Sequence, residues 1–164
     1  MRRKLRIWLV PLLLPAVLAA SCAAQREKEV TELVTQYLDY EVAGNYHEQH
    51  ALIDSESAKT LPIPVGDIPN PFDPKQLAEY EVKDVEVEGA TARADIRAVF
   101  QIIWQGGQGL PEEYDLSVYV VHQPQEWKVD ELKTRMAWLD TVVAPGAGDN
   151  WLMVEQNRRL TQGH

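Results

Sequence analysis

One cysteine, Cys22, is all that this 164-residue chain contains, so no disulfide can form within it and no second thiol is left for nucleophilic work. Basic side chains are scarce as well. Against 25 Asp and Glu there are 16 Lys and Arg, a net charge of −9. A surface of that sign repels phosphate backbones and anionic lipid heads, and nucleic acid is not expected as a partner. Long apolar runs are missing too. The run from Ile7 to Ala20 falls short of the roughly 20 residues that cross a bilayer, and Pro11 and Pro15 interrupt it. There is no Gly-x-Ser-x-Gly elbow, no phosphate-binding Gly loop and no His-Glu-x-x-His pair. No internal repeat or low-complexity tract is present.

What is there begins with an address. Arg2, Arg3, Lys4 and Arg6 precede the apolar run, and Ala19-Ala20-Ser21 lead into Cys22, the pattern of a secretory signal over residues 1–21. The small residues before the cysteine resemble the lipobox of bacterial lipoproteins, with Ala19 where that family most often has Leu. The resemblance implies cleavage before Cys22 and acylation of its thiol, with membrane attachment through buried methylenes and not through charge. Removal of the four basic residues from 16 leaves 12 against 25 acids, a net charge of −13. In a diderm host, Ala23 in place of Asp after the cysteine resembles the outer-membrane sorting pattern. Residues 22–26 are then the lipidated cysteine and a short tether.

The folded part opens with Val30, Leu33, Val34, Tyr37 and Leu38, spaced to form one stripe of a helix. Gly44 and Asn45 break it, and a second, shorter helix is expected from Tyr46. Five prolines between Asp54 and Lys75 predict a long loop without regular structure, a plain connector or a functional cover. From Glu79 the period becomes two. A strand with a bulge near Lys83 or Asp84 turns at Glu88-Gly89-Ala90 into a longer strand, with Ala92, Ala94, Ile96, Ala98, Phe100, Ile102 and Trp104 on one face and Arg93, Asp95, Arg97 and Gln101 on the other. Gln105 to Glu113 reads as a turn, Tyr114 to His122 as a strand, and Trp127, Val129, Leu132, Met136 and Trp138 as a last strand with a phase slip. The fold class expected is α+β, N-terminal helices packed on a curved antiparallel sheet of about four strands, over residues 27–143. A tail, 144–164, carries a short helix from Trp151 capped by Asp149 or Asn150.

The helix ending in Gly-Asn-Tyr, the second helix running into Ala51-Leu52-Ile53, the strand pair EVEGATARADI and the late Trp127-Lys128-Val129-Asp130 strand resemble the nuclear transport factor 2-like, or cystatin-like, superfamily. They are similar in particular to small bacterial lipoproteins with one such domain. The resemblance implies a sheet wrapped on helices around a cone-shaped pocket, which some relatives use for catalysis and many for binding or dimerisation. No catalytic set of that superfamily maps onto these positions. The pocket would be lined by Phe100, Trp104, Tyr114, His122 and Trp127, with core packing as the other reading of the tryptophans. His122, with Tyr114, is the candidate acid or base, and a half-buried histidine without a task is the plainer reading. His47 and His50, with Asp54 a turn further on, lack a third good zinc ligand, so no metal or cofactor is expected. The function expected is a membrane-anchored, non-catalytic module for a small apolar ligand or an envelope protein, with a homodimer left open. The alternative is a small isomerase or dehydratase.

Overall fold

A computed structural model describes residues 13–61, 72, 74–104 and 107–162. Helix α1, Leu13–Ala43, carries the expected stripe, with Val30, Val34, Tyr37 and Leu38 fully buried and Gly44 ending it at φ 70°. The tether after Cys22 is therefore helical and continuous with α1. Helix α2, Tyr46–His50, follows. The segment read as an ordered loop without a regular helix begins with a third helix, α3, Ser55–Thr60. Its cap is Asp54, whose Oδ1 accepts from the backbone N–H of Glu56 at 2.8 Å and of Ser57 at 3.1 Å. Most of the proline-rich remainder lies outside the described residues.

Strand β1, Lys75–Glu88, starts four residues before the point at which the alternation becomes visible and carries two bulges, between Val82 and Asp84 as expected and also between Leu77 and Glu79. It pairs antiparallel with β2, Thr91–Trp104, and β2 pairs with β4, Glu112–His122. The turn region between them holds a two-residue strand, β3, Gly107–Gln108, on the end of β2. The sheet order is β1-β2-β4-β5, with β5 at Trp127–Val129, an open, curved antiparallel sheet of four strands with α1 to α3 before it. Ala92, Ala94, Ile96, Ala98 and Phe100 face the helices and are buried, while Arg93 and Arg97 face solvent. Alanines at this face let α1 approach the sheet closely.

The last strand departs from expectation. β5 is only Trp127–Val129, and the chain then forms helix α4, Glu131–Val142, which carries Met136 and Trp138. Asp130 caps it, Oδ1 accepting from Lys133 N–H at 3.0 Å. The helical period was hidden because the buried positions of α4 are Glu131, Thr134, Arg135, Trp138, Leu139 and Val142, half of them polar. Helix α5, Ala147–Gln162, begins four residues earlier than expected, and Trp151 packs against the core.

Helix α4 also finishes the sheet. Beyond the short β5, Thr134 Oγ1 accepts from the Tyr119 N–H at 3.0 Å, and the Trp138 indole donates to Ser117 O at 2.8 Å. Leu52 to Asp54 add a parallel bridge on the other side of β5. The backbone groups of Tyr119 and the Ser117 carbonyl are thus satisfied at that edge without another strand.

Candidate functional site

The interior between α1, α4 and the sheet is where a cone pocket would lie, and it is occupied by charge. Arg135 and Glu131, four apart on α4, point inward at 0% and 1% exposure. Arg135 Nε donates to Glu131 Oε1 at 2.6 Å, and the two terminal nitrogens donate to Glu41 of α1, one of them at 2.9 Å. Tyr37, one turn before Glu41, donates its hydroxyl to the other oxygen of Glu131. Gln49 of α2 donates to Glu41 Oε2 at 2.6 Å. The guanidinium lies 5.7 Å from the Phe72 ring and 5.6 Å from the Trp138 ring.

Electrostatics fix the protonation states. Burial pushes the Glu41 carboxyl up, but the charge and hydrogen bonds of Arg135 and the Gln49 amide outweigh it and hold Glu41 below the usual carboxylate range. Burial raises the Tyr37 hydroxyl well above its ordinary value; Arg135 opposes this, while Glu131 and Glu41 reinforce it, so Tyr37 keeps its proton as a donor. Burial works against the Arg135 charge, and Glu131 and Glu41 more than restore it. Tyr37, Glu41 and Arg135 each hold one protonation state near neutral pH, and every member of the network is bonded to another member. Among the described residues the buried side-chain polar atoms without a partner are Asp54 Oδ2, Trp127 Nε1 and Trp151 Nε1, all outside this network. The gap that Glu131 shares with Gln49, His50 and Ile53 is too small for a water molecule.

Four of the five pocket candidates separate into two groups. Phe100 is buried and meets Tyr114 edge-on at 5.8 Å, toward the end of the sheet away from the turn between β1 and β2. There Lys75 Nζ donates to Tyr114 Oη at 2.7 Å and to Val142 O at 3.1 Å and pairs with Glu112 at 2.7 Å, while Tyr114 donates to Glu112. His122 and Trp127 stack edge-on at 4.8 Å at the opposite end, with His122 exposed and Trp127 buried. His122 stands eight positions after Tyr114 along β4, about 26 Å at roughly 3.3 Å per residue. His122 cannot share a substrate atom with Tyr114 across that distance, which corrects the pairing considered for them. Trp104 ends β2, and its side chain lies outside the described residues. His47 and His50 sit on α2, and Asp54 is committed to capping α3 through its Oδ1. Cys22 is exposed on α1, followed by seven further exposed residues before Val30 enters the core.

Sequence reasoning missed Glu41, Glu131, Arg135 and Tyr37 as a unit. The one local signal was the i, i+4 spacing of Glu131 and Arg135, which on an exposed helix is an ordinary surface pair. Among the described residues no helix is long and apolar enough to cross a membrane. A scan against protein-family models and a search of curated proteins each returned no match.

Proposed function

We propose that this chain is a lipid-anchored, non-catalytic interaction module of the bacterial cell envelope, held by an acylated Cys22 and working through its outer surfaces. The observation that carries this reading is the saturated network around Arg135. A general acid or base must reach a substrate atom, directly or through one water, and hold a proton that it can exchange. Glu41, Glu131, Tyr37 and Arg135 satisfy one another instead, and the gap beside Glu131, Gln49 and His50 has no room for water. A small ligand entering there would have to break several charge-assisted hydrogen bonds in a poorly solvated site, at the cost of stranding a buried charge.

The anchor reading is supported by the leader pattern and by the position of Cys22, which stands clear of the folded body. Eight residues of helix from Cys22 to Val30 correspond to about 12 Å. The test is fractionation of a bacterial host expressing the full chain. The wild type is expected in the membrane fraction with incorporated radiolabelled palmitate, and Cys22→Ser in the soluble fraction without label. Wild-type protein that partitions like Cys22→Ser and takes up no acyl chain overturns the proposal.

A further inference from the structure

We infer that the free edge of β1 is a docking site for an extended, basic segment of a partner protein, which adds to the sheet as a further strand. This rests on the reading of the chain as an interaction module and assigns that activity a surface. The two ends of the sheet are treated differently. Beside β4 the edge is closed by β5, the bridge at Ile53 and Val129, and the Thr134 and Trp138 side chains. β1, with 14 residues, has β2 on one side and, among the described residues, no strand on the other. A long strand left open offers a ladder of backbone donors and acceptors to another chain.

The hairpin sets which groups are offered. Glu88 and Thr91 flank a two-residue turn with Gly89 at φ 62°, so they form the closing hydrogen-bonded pair. Alternation then turns the backbone N–H and C=O of Val87 and Val85 away from β2 and toward the open edge. From Asp84 to Glu88 the register is unbroken, so a short incoming strand can pair there without meeting a bulge. Alongside the edge a groove of 560 Å³ runs between Thr35 and Val42 of α1 and the stretch Ala78 to Val82, with room for side chains of an added segment.

Charge selects the occupant. Glu79, Glu81, Asp84, Glu86 and Glu88 are exposed along β1, with Lys83 the one base among them. Lys83 is paired with Glu81, and Glu86 with Arg93 at 3.3 Å; Glu79, Asp84 and Glu88 have no ion pair among the described residues. A second copy would set the same carboxylates opposite these, and like charges across strands are unfavourable. A segment alternating Lys or Arg with small apolar residues matches both the ladder and the sign.

The test is amide hydrogen exchange on the full chain in non-ionic detergent micelles. The probe is an eight-residue peptide alternating lysine with valine, and the control alternates lysine with proline, equal in charge but without half of the backbone N–H groups. With the first peptide the Val85 and Val87 amides are expected to exchange at least ten-fold more slowly. The control is expected to leave them unchanged, and Asp84→Lys with Glu88→Lys to remove the protection. No protection, or equal protection by both peptides, overturns the inference. Slow exchange at Val85 and Val87 without peptide, in a chain that sediments as a dimer, overturns it in favour of a second copy. Membrane partitioning through Cys22 is read separately, so either proposal can fail alone.

Discussion

Removing the Arg135 guanidinium would leave Glu41 and Glu131 facing each other in the core, and loss of one partner from a buried ion network costs about 3–5 kcal/mol. Arg135→Met is therefore expected to lower the free energy of urea unfolding by that amount. Replacing Glu41 and Glu131 by Leu along with Arg135→Met should cost less than the single change, because no charge is then stranded. Acid sensitivity follows from the same residue. The folded-state value of Glu41 is depressed, so its contribution is present above the ordinary carboxylate range of about 4.3 and is lost as pH falls through the depressed value. Glu41→Gln should flatten that part of a stability-against-pH curve. Asp130 has the opposite sign. Burial raises it, the charge of Asp54 adds to this and the Lys133 N–H opposes it. The stability tied to its proton is present below its unfolded value and lost as pH rises through the folded one, so Asp130→Asn, which still caps α4, should gain relative to wild type as pH climbs through that window. None of this was legible in the sequence, because 94 residues separate Glu41 from Arg135 and each alone reads as a surface charge.

At the scale of elements, legibility followed the chemistry of the buried face. α1 and β2 bury aliphatic stripes, and their period is plain in the sequence. α4 buries Glu131, Thr134 and Arg135, so the apolar residues left over, Leu132, Met136 and Trp138, suggest a slipped strand. Asp130 followed by Glu131 is a helix-start signal that could have corrected this, as Asp54 could have for α3. The docking of α5 turned on Gly148, not on Trp151 alone. Its N–H donates to Asp140 Oδ1 at 2.8 Å, and a Cβ there would lie 2.6 Å from the Met136 carbonyl oxygen. Backbone cannot yield as a flexible side chain does, so Gly148→Ala is expected to push α5 away from α4. A loss of about 1–3 kcal/mol is expected, as for overpacked cores, with a lower thermal midpoint and red-shifted Trp emission. An unchanged melt would show that α5 contributes little to the folded body.

For the whole molecule, the helix-before-meander order was enough to reach the fold class, while the filling of the cone was not, since an inward-facing Phe100 or Trp138 suits a pocket and a core equally. The direction of α1 was likewise invisible. Tyr37 bonds to Glu131 and Glu41 to Arg135, so α1 and α4 run the same way, and α4 ends at Lys75, at the end of β1 away from its hairpin turn. Cys22 therefore leaves from the hairpin end, and exposed Leu110 and Val143 lie at the far end. A nitroxide-lipid quenching experiment with fluorophores at Gln125 and Leu110 should find strong quenching at Gln125 and little at Leu110, and the reverse order would refute this orientation. The filled interior is tested most directly by diffraction from crystals of the protein under xenon pressure, because xenon occupies apolar voids that polar probes miss. No xenon is expected between α1, α4 and β2 around Arg135, Phe72 and Phe100; a well-occupied xenon site there would contradict the closed cone.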